Sequence, residues 1–312
     1  MITKLDYPNT MNAAPKYQSL LKYAGLVSVL TALLLVFVKF IGYQSTGSIA
    51  ILASLLDSLL DVFTSLVNLI AIRFAMIPAD KEHPFGHGKA EALAGLGQSL
   101  FITLSACLLI YHAVENIQDD KEILQLATGV YIMTFSIVAT ALLILFQRYV
   151  YKKTASLAIK ADSVHYLSDL LSNGLVIVGL VLAYIGFAWM DPIIASMIGV
   201  YILYSAWHIL KESIDILLDR ELDEAIQQDI KQMVLADPDV HAIHEMKTRE
   251  AAHTQYIQLH IEMDGALSLT EAHDISHRIM LRLTDKYPQA DIIIHQDPEN
   301  DAAEGAERLT PN

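Results

Sequence analysis

Residues 55–69, LLDSLLDVFTSLVNL, place Asp57 and Asp61 four apart inside an otherwise apolar run. Residues 160–174, KADSVHYLSDLLSNG, do the same with His165 and Asp169. Four residues is just over one helical turn, so each pair shares one face of a helix. The runs that carry them, 49–76 and 158–187, are long enough to cross a bilayer, which takes roughly 20 mostly apolar residues. An ionised group at that depth costs at least about 2.5–3.5 kcal/mol. Two such faces therefore call for a compensating cation, and Lys39 is the only basic residue well within a span. Three carboxylates and one imidazole make four N and O donors, the number that tetrahedral zinc takes. Calcium or magnesium would want more oxygens and no imidazole.

Outward from these two runs, further apolar stretches lie at 20–43, 90–117, 125–150 and 192–214. The six together predict an all-α, six-helix transmembrane domain over residues 17–218. Basic residues orient it. Arg148, Lys152, Lys153 and Lys160 fall between the fourth and fifth runs, Lys81 and Lys89 between the second and third, and Lys211 and Arg220 at the far end. The connections at 44–48 and 186–191 carry none. Positive charge stays on the cytoplasmic side, so both termini are expected inside a multi-pass plasma membrane protein. The first sixteen residues read as a flexible segment with no cleavable signal, and the first apolar run as a retained span. Cys107, the single cysteine, sits in an apolar run and is expected to be a buried, inert thiol.

The composition changes after residue 218. The chain carries a net charge of −14 with a mean hydropathy of +0.39. From Asp219 onward there are 20 acidic and 8 basic residues, a net of −12, together with seven of the twelve histidines. Such an acidic balance argues against nucleic acid as a partner, whose binding surfaces are basic, and suits cations. Residues 222–236 repeat apolar positions at helical spacing, whereas 242–249 and 254–263 alternate as strands do. Ser268 followed by Glu271 is a capping-box signature that opens a helix over 268–286, and 290–296 reads as a last strand. The order α-β-β-α-β predicts a small α+β domain over 219–298, with helices on one face of a sheet. Residues 299–312 read as a disordered tail.

Two more sets of metal-ligating residue types stand outside the spans. The loop PADKEHPFGHGKAE brings Asp80, His83 and His87 within eight residues, a plausible three-ligand zinc site. The last third offers His241, His244, His253, His260, His273, His277, His295 and Asp297, of which His295 and Asp297 share a strand face. Solvated histidines are the plain alternative for both sets. The membrane set also suggests coupling. Metal ligands must be deprotonated, so metal and protons displace one another, and a site holding either one and opened alternately to each side is an antiporter.

The paired DxxxD and HxxxD stretches, with PADKEHPFGHGKAEALA between them and DIIIHQDP near the end, resemble the cation diffusion facilitator family from about Tyr17 to Pro298. The resemblance implies a homodimer whose subunits carry six membrane helices and a ferredoxin-like cytoplasmic domain. It implies export of zinc or cadmium against protons in a bacterial inner membrane. Asp57, Asp61, His165 and Asp169 match the family's transport site, and Asp80, His83 and His87 a second site in the loop. His244, His260, His273, His295 and Asp297 match a binuclear site bridged by the aspartate, which leaves His241 and His277 solvated. Lys89 and Asp219 would form a charge interlock near the cytoplasmic membrane face.

Other functions fit less well. An aspartyl intramembrane protease would carry a Gly-x-Gly-Asp stretch and a metallopeptidase HExxH, and neither occurs. Four protein ligands also leave no open position for a catalytic water. A passive divalent channel or a membrane-anchored metal sensor remain the alternatives to a carrier. A channel needs weak or multiple sites, and a sensor would not need its membrane carboxylates.

Overall fold

The structure, a computed structural model, describes residues 15–46, 49–115, 126–184, 191–252, 254–299 and 309–310. Beyond residue 15 the chain divides into two compact units, Lys16–Ile214 and Asp215–Asn312. Residues 1–14 of the expected N-terminal segment, residues 186–190 and His253 lie outside the described residues, while Pro15 and Lys16 already belong to the first helix.

The first unit is helical. Its elements are α1 (Pro15–Thr46), α2 (Ile49–Ala75), α3 (Lys89–Glu115), α4 (Leu126–Thr154), α5 (Leu157–Tyr184) and α6 (Asp191–Leu217). Five of them contain a stretch long and apolar enough to cross a membrane: Gln18–Ser45, Ser54–Ala75, Lys89–Tyr111, Tyr131–Thr154 and Ile193–Leu217. The remaining helix, α5, carries Lys160, Asp162, His165 and Asp169 in its first half. Polarity is distributed inside out. On α4, Tyr131, Phe135, Val138, Leu142, Leu145 and Tyr149 recur every three or four residues and are exposed. Such a stripe would be penalised in water and costs nothing against acyl chains. The inward faces carry the polar groups instead, including Ser28, Lys39, Ser58, Asp61, Asn68, Gln147, Asp162 and His165, all buried.

Two observations correct or extend the sequence reading of these helices. Cys107 is exposed rather than buried. It lies on α3 with exposed Leu100, Leu104, Leu108 and Tyr111, so the apolar run around it marks an outward stripe and not a core. The α4–α5 connection is only two residues, closed by Ala155 in the left-handed region (φ 50°), with its amide donating to Tyr151 O at 2.8 Å. Glu91 of α3 caps the start of α5 by accepting from the Ser156 hydroxyl and from the Ala158 amide. Small residues let helices approach closely, as at Gly199, where a Cβ would collide with Ile110 of α3.

The second unit runs α7 (Glu224–Leu235), β1 (Ala242–Ala251), β2 (Thr254–Met263), α8 (Leu269–Lys286) and β3 (Ala290–Pro298). The sheet order is β1-β2-β3, with β1 antiparallel and β3 parallel to β2. It is a small α+β domain in the expected order. Ile230 and Val234 of α7 and Ile275, Ile279 and Leu283 of α8 pack on Ile243, Ile257, Leu259 and Ile261, which occupy one face of the sheet. The box at α8 forms as its sequence predicts: the Glu271 amide donates to Ser268 Oγ at 3.3 Å, and the Ser268 amide to Glu271 Oε2 at 2.8 Å. Most of the expected tail lies outside the described residues. Leu309, however, pairs with Ile243 on β1 through two backbone bonds of 2.8 and 2.9 Å.

Candidate metal centres

Three clusters of carboxylate and imidazole ligand atoms occur among the described residues, each with its atoms within 4.8 Å of one another. The first joins two helices of the first unit. Asp61 comes from α2, and His165 and Asp169 come from α5, where the i, i+4 spacing turns both inward. His165 Nε2 lies 3.2 Å from Asp61 Oδ1 and 3.6 Å from Asp169 Oδ2. One imidazole nitrogen thus faces two carboxylates, an arrangement that needs either a proton or a cation in the middle. Phe101 of α3 presents its ring edge-on to the imidazole, with centroids 5.6 Å apart. Asp169 Oδ2 is buried without a hydrogen-bond partner, which suits a ligand atom. Asp57 is one turn before Asp61 on α2, is exposed, and is not part of this cluster.

The second cluster is the loop between α2 and α3. Asp80 is fixed by two amides, from His83 at 2.6 Å and Glu82 at 2.9 Å. These bonds, the His83 one foremost, hold its carboxyl below the ordinary range. His83 Nδ1 and His87 Nε2 each lie 3.5 Å from an Asp80 oxygen, and the two rings are 4.5 Å apart. Gly86, at φ 79°, makes the turn that folds His87 back, a conformation glycine adopts without penalty. His87 is buried although the other two are exposed, and its Nδ1 lacks a hydrogen bond.

The third cluster, His244, His260 and Asp297 with His295 beside it, is built by strand register. His244 pairs with His260 across β1–β2, and His260 with His295 across β2–β3, so three imidazoles stand on one rung. Their ring centroids are 5.0 and 4.5 Å apart. Asp297, two residues along β3 from His295, reaches all three: 2.8 Å to His260 Nδ1, 3.1 Å to His295 Nε2 and 3.3 Å to His244 Nε2. A β-bulge follows immediately between His244 and Lys247, with Glu245 at φ 46°. Gln296, between the two ligands, donates to Ser276 of α8, so His295 and Asp297 occupy the face away from the helices. His273 is on α8, behind that sheet, stacked on His277 at 5.9 Å and apart from the cluster. His241 Nδ1 lies 2.6 Å from Glu299 Oε1.

Sequence reading passed over Glu262. It is fully buried, two residues after His260 on the same strand face, and its Oε1 lies 4.0 Å from His244 Nε2. Period-two counting along β2 would have found it. Asp162 was also unremarked. It is buried one turn before His165 and accepts from Asn68 Nδ2 at 3.1 Å and Gln147 Nε2 at 2.7 Å. Asp219, at φ 58°, accepts from Arg249 at 3.1 Å. Lys89 opens α3 in the other unit.

Residues 25–218 match the family described as the cation efflux transmembrane domain, and residues 222–299 match the cytoplasmic domain of cation efflux proteins. The chain belongs to the cation efflux family. Among its relatives, the cation-efflux pump FieF of Serratia proteamaculans is 40% identical over 291 residues, covering 93% of this chain and 97% of that one. FieF of Pectobacterium atrosepticum is 43% identical over 284 residues, covering 91% and 95%. A solved structure described as the metal-bound C-terminal domain of the CzcD transporter from Thermotoga maritima is 23% identical, covers 26% of this chain and 100% of its own, and has a TM-score of 0.24. As a cation efflux family member, the chain is a multi-pass membrane transporter and not an enzyme.

Proposed function

We propose that this cation efflux protein exports Zn2+ from the cytoplasm in exchange for protons, with Cd2+ and Fe2+ as further cargoes. The observation that carries the reading is the convergence of Asp61 from α2 with His165 and Asp169 from α5. Asp57, one turn away on α2, is the fourth ligand once a cation draws the two helices together. Donors split between two helices suit alternating access, because a shift of one helix past the other opens the site without unfolding either. Protons are the coupling ion because the same four groups that bind metal bind protons when metal leaves.

The other clusters are regulatory and structural. Asp80, His83 and His87 would hold a metal in the loop. His244, His260, His295 and Asp297 would hold one or two more in the cytoplasmic domain, with the aspartate shared. Their fit rests on the ligand chemistry and on buried ring nitrogens of His87 and His244 that lack hydrogen bonds. The protein acts as a homodimer in the bacterial inner membrane, both termini cytoplasmic. The cytoplasmic unit is then ferredoxin-like, and α5 is a sixth span. Zinc flux into sealed proteoliposomes, measured with and without an imposed pH gradient, tests the reading. Flux that follows the gradient supports exchange, and flux indifferent to it refutes proton coupling.

A further inference from the structure

Lys39 is a lysine of α1 that is only 5% exposed. Its ammonium donates to Ser58 Oγ at 2.7 Å and to Ser54 O at 3.1 Å, both on α2. Both acceptors are neutral, and Ser58 itself is fully buried. An ammonium taken out of water is expensive unless opposite charge stands near. That charge is close at hand. Ser58 is flanked by Asp57, and Asp61 is three residues on, its neighbour on the helix surface. Asp169 joins Asp61 from α5 at the His165 imidazole. Asp162, the other carboxylate of α5, is buried and occupied by the amides of Asn68 and Gln147.

Lys39 therefore stands beside the metal cluster without occupying it. Its hydrogen bonds go to serines, and the ligand atoms of Asp61, His165 and Asp169 remain available to a cation. Charges so placed are poorly screened, and repulsion between the ammonium and an incoming divalent ion weakens binding. A carrier gains from that. Three carboxylates and an imidazole risk holding zinc too tightly to release it, and throughput requires a site the ion can leave.

We infer that Lys39 is a resident positive charge, tethered to α2 by Ser58, that lowers the metal affinity of the intramembrane site and so permits release. The inference rests on the reading of Asp61, His165 and Asp169 as the transport site. It assigns Lys39 a positioning role for charge, distinct from that of a ligand. A purely structural role, joining α1 to α2, predicts the opposite sign: loss of the side chain would loosen the site and weaken metal binding.

Zinc-dependent transport by the full-length protein in proteoliposomes, with KM and kcat resolved, separates these. Lys39→Met should lower KM by about tenfold or more while kcat falls, because an unopposed site binds tightly and releases slowly. Lys39→Arg, which keeps the charge, should restore both values toward the wild type. Ser58→Asp guards against a Lys39→Met protein that does not fold. It keeps the α1–α2 link but pairs the ammonium, and it should reproduce the lowered KM. A raised or unchanged KM in both Lys39→Met and Ser58→Asp would overturn the inference, as would Lys39→Arg behaving like Lys39→Met. Wild-type and Asp61→Ala proteins run alongside keep the two claims apart. If Asp61→Ala transports normally the underlying site reading fails, whereas loss of transport in Asp61→Ala with a raised or unchanged KM in both Lys39→Met and Ser58→Asp sinks only the role of Lys39.

Discussion

The helix cluster and the sheet cluster use almost the same side chains on opposite kinds of scaffold. Asp61 faces His165 and Asp169 across two helices that are joined by side chains alone, such as Ser65 with Tyr166 at 2.7 Å and Asn68 with Asp162 at 3.1 Å. His244, His260 and His295 instead lie on adjacent strands whose backbones are laddered together in register. Helices keep their hydrogen bonds to themselves, so a helix can slide past its neighbour at the expense of packing only. Strands cannot shift without breaking the ladder. The first scaffold suits a site that must open to alternate sides, and the second a site that should keep its metal.

The comparison breaks most easily at His165. His165→Ala or Asp169→Ala should reduce zinc flux by at least roughly a hundredfold, since a ligand of the moving site has no substitute. Radioactive zinc uptake by reconstituted protein reads this directly. Asp297→Ala should remove the metal bound by the cytoplasmic unit, seen as a drop in bound zinc per chain by calorimetry. Flux in that variant should fall by no more than about tenfold, because retention and transport are separate tasks.

A smaller effect concerns the clamp beneath the sheet. Asp237 is buried and accepts from Arg278 at 2.7 and 2.9 Å and also from Arg282. The Arg278 bonds, first among the causes, hold its carboxyl below the ordinary range. A carboxyl lowered on folding contributes stability that is present above its unfolded value, near about 4, and is lost as pH falls through its folded value. The cytoplasmic unit of the whole protein should therefore lose melting temperature below about pH 4. Asp237→Asn should cost about 2 kcal/mol at neutral pH and flatten that acid limb. Calorimetric scans of the two proteins across pH check both. The smallest effect should come from His83→Ala in the loop. His83 is exposed, and its removal should change flux by only about two- or threefold at saturating zinc while weakening metal capture at low zinc.

The contrast also explains what could be read from residue order. Helical clusters rest on local spacing, so the pairs Asp57/Asp61 and His165/Asp169 declared their faces directly. Spacing could not say which aspartate of α2 turns toward α5, because that depends on how the helices pack, and it is Asp61 that meets His165. The box at Ser268 and Glu271 was legible for the same reason, both partners being three residues apart. The rung of His244, His260 and His295 was not. It depends on an antiparallel pairing, a parallel pairing and a bulge after His244, none of which local periodicity specifies. His273 shows the cost: helical periodicity places it on α8, but only the sheet's facing shows that it stands behind the other ligands. Cys107 misled because an apolar neighbourhood in a membrane helix marks an outward stripe as readily as a core.

The central claim is that zinc crosses through the cluster of Asp61, His165 and Asp169. Its most direct test is zinc flux through purified, full-length protein in sealed proteoliposomes, comparing the wild type with Asp61→Ala at equal protein density. The account predicts saturable flux in the wild type and flux at the level of empty vesicles in the variant. Flux through Asp61→Ala at the wild-type rate would contradict it.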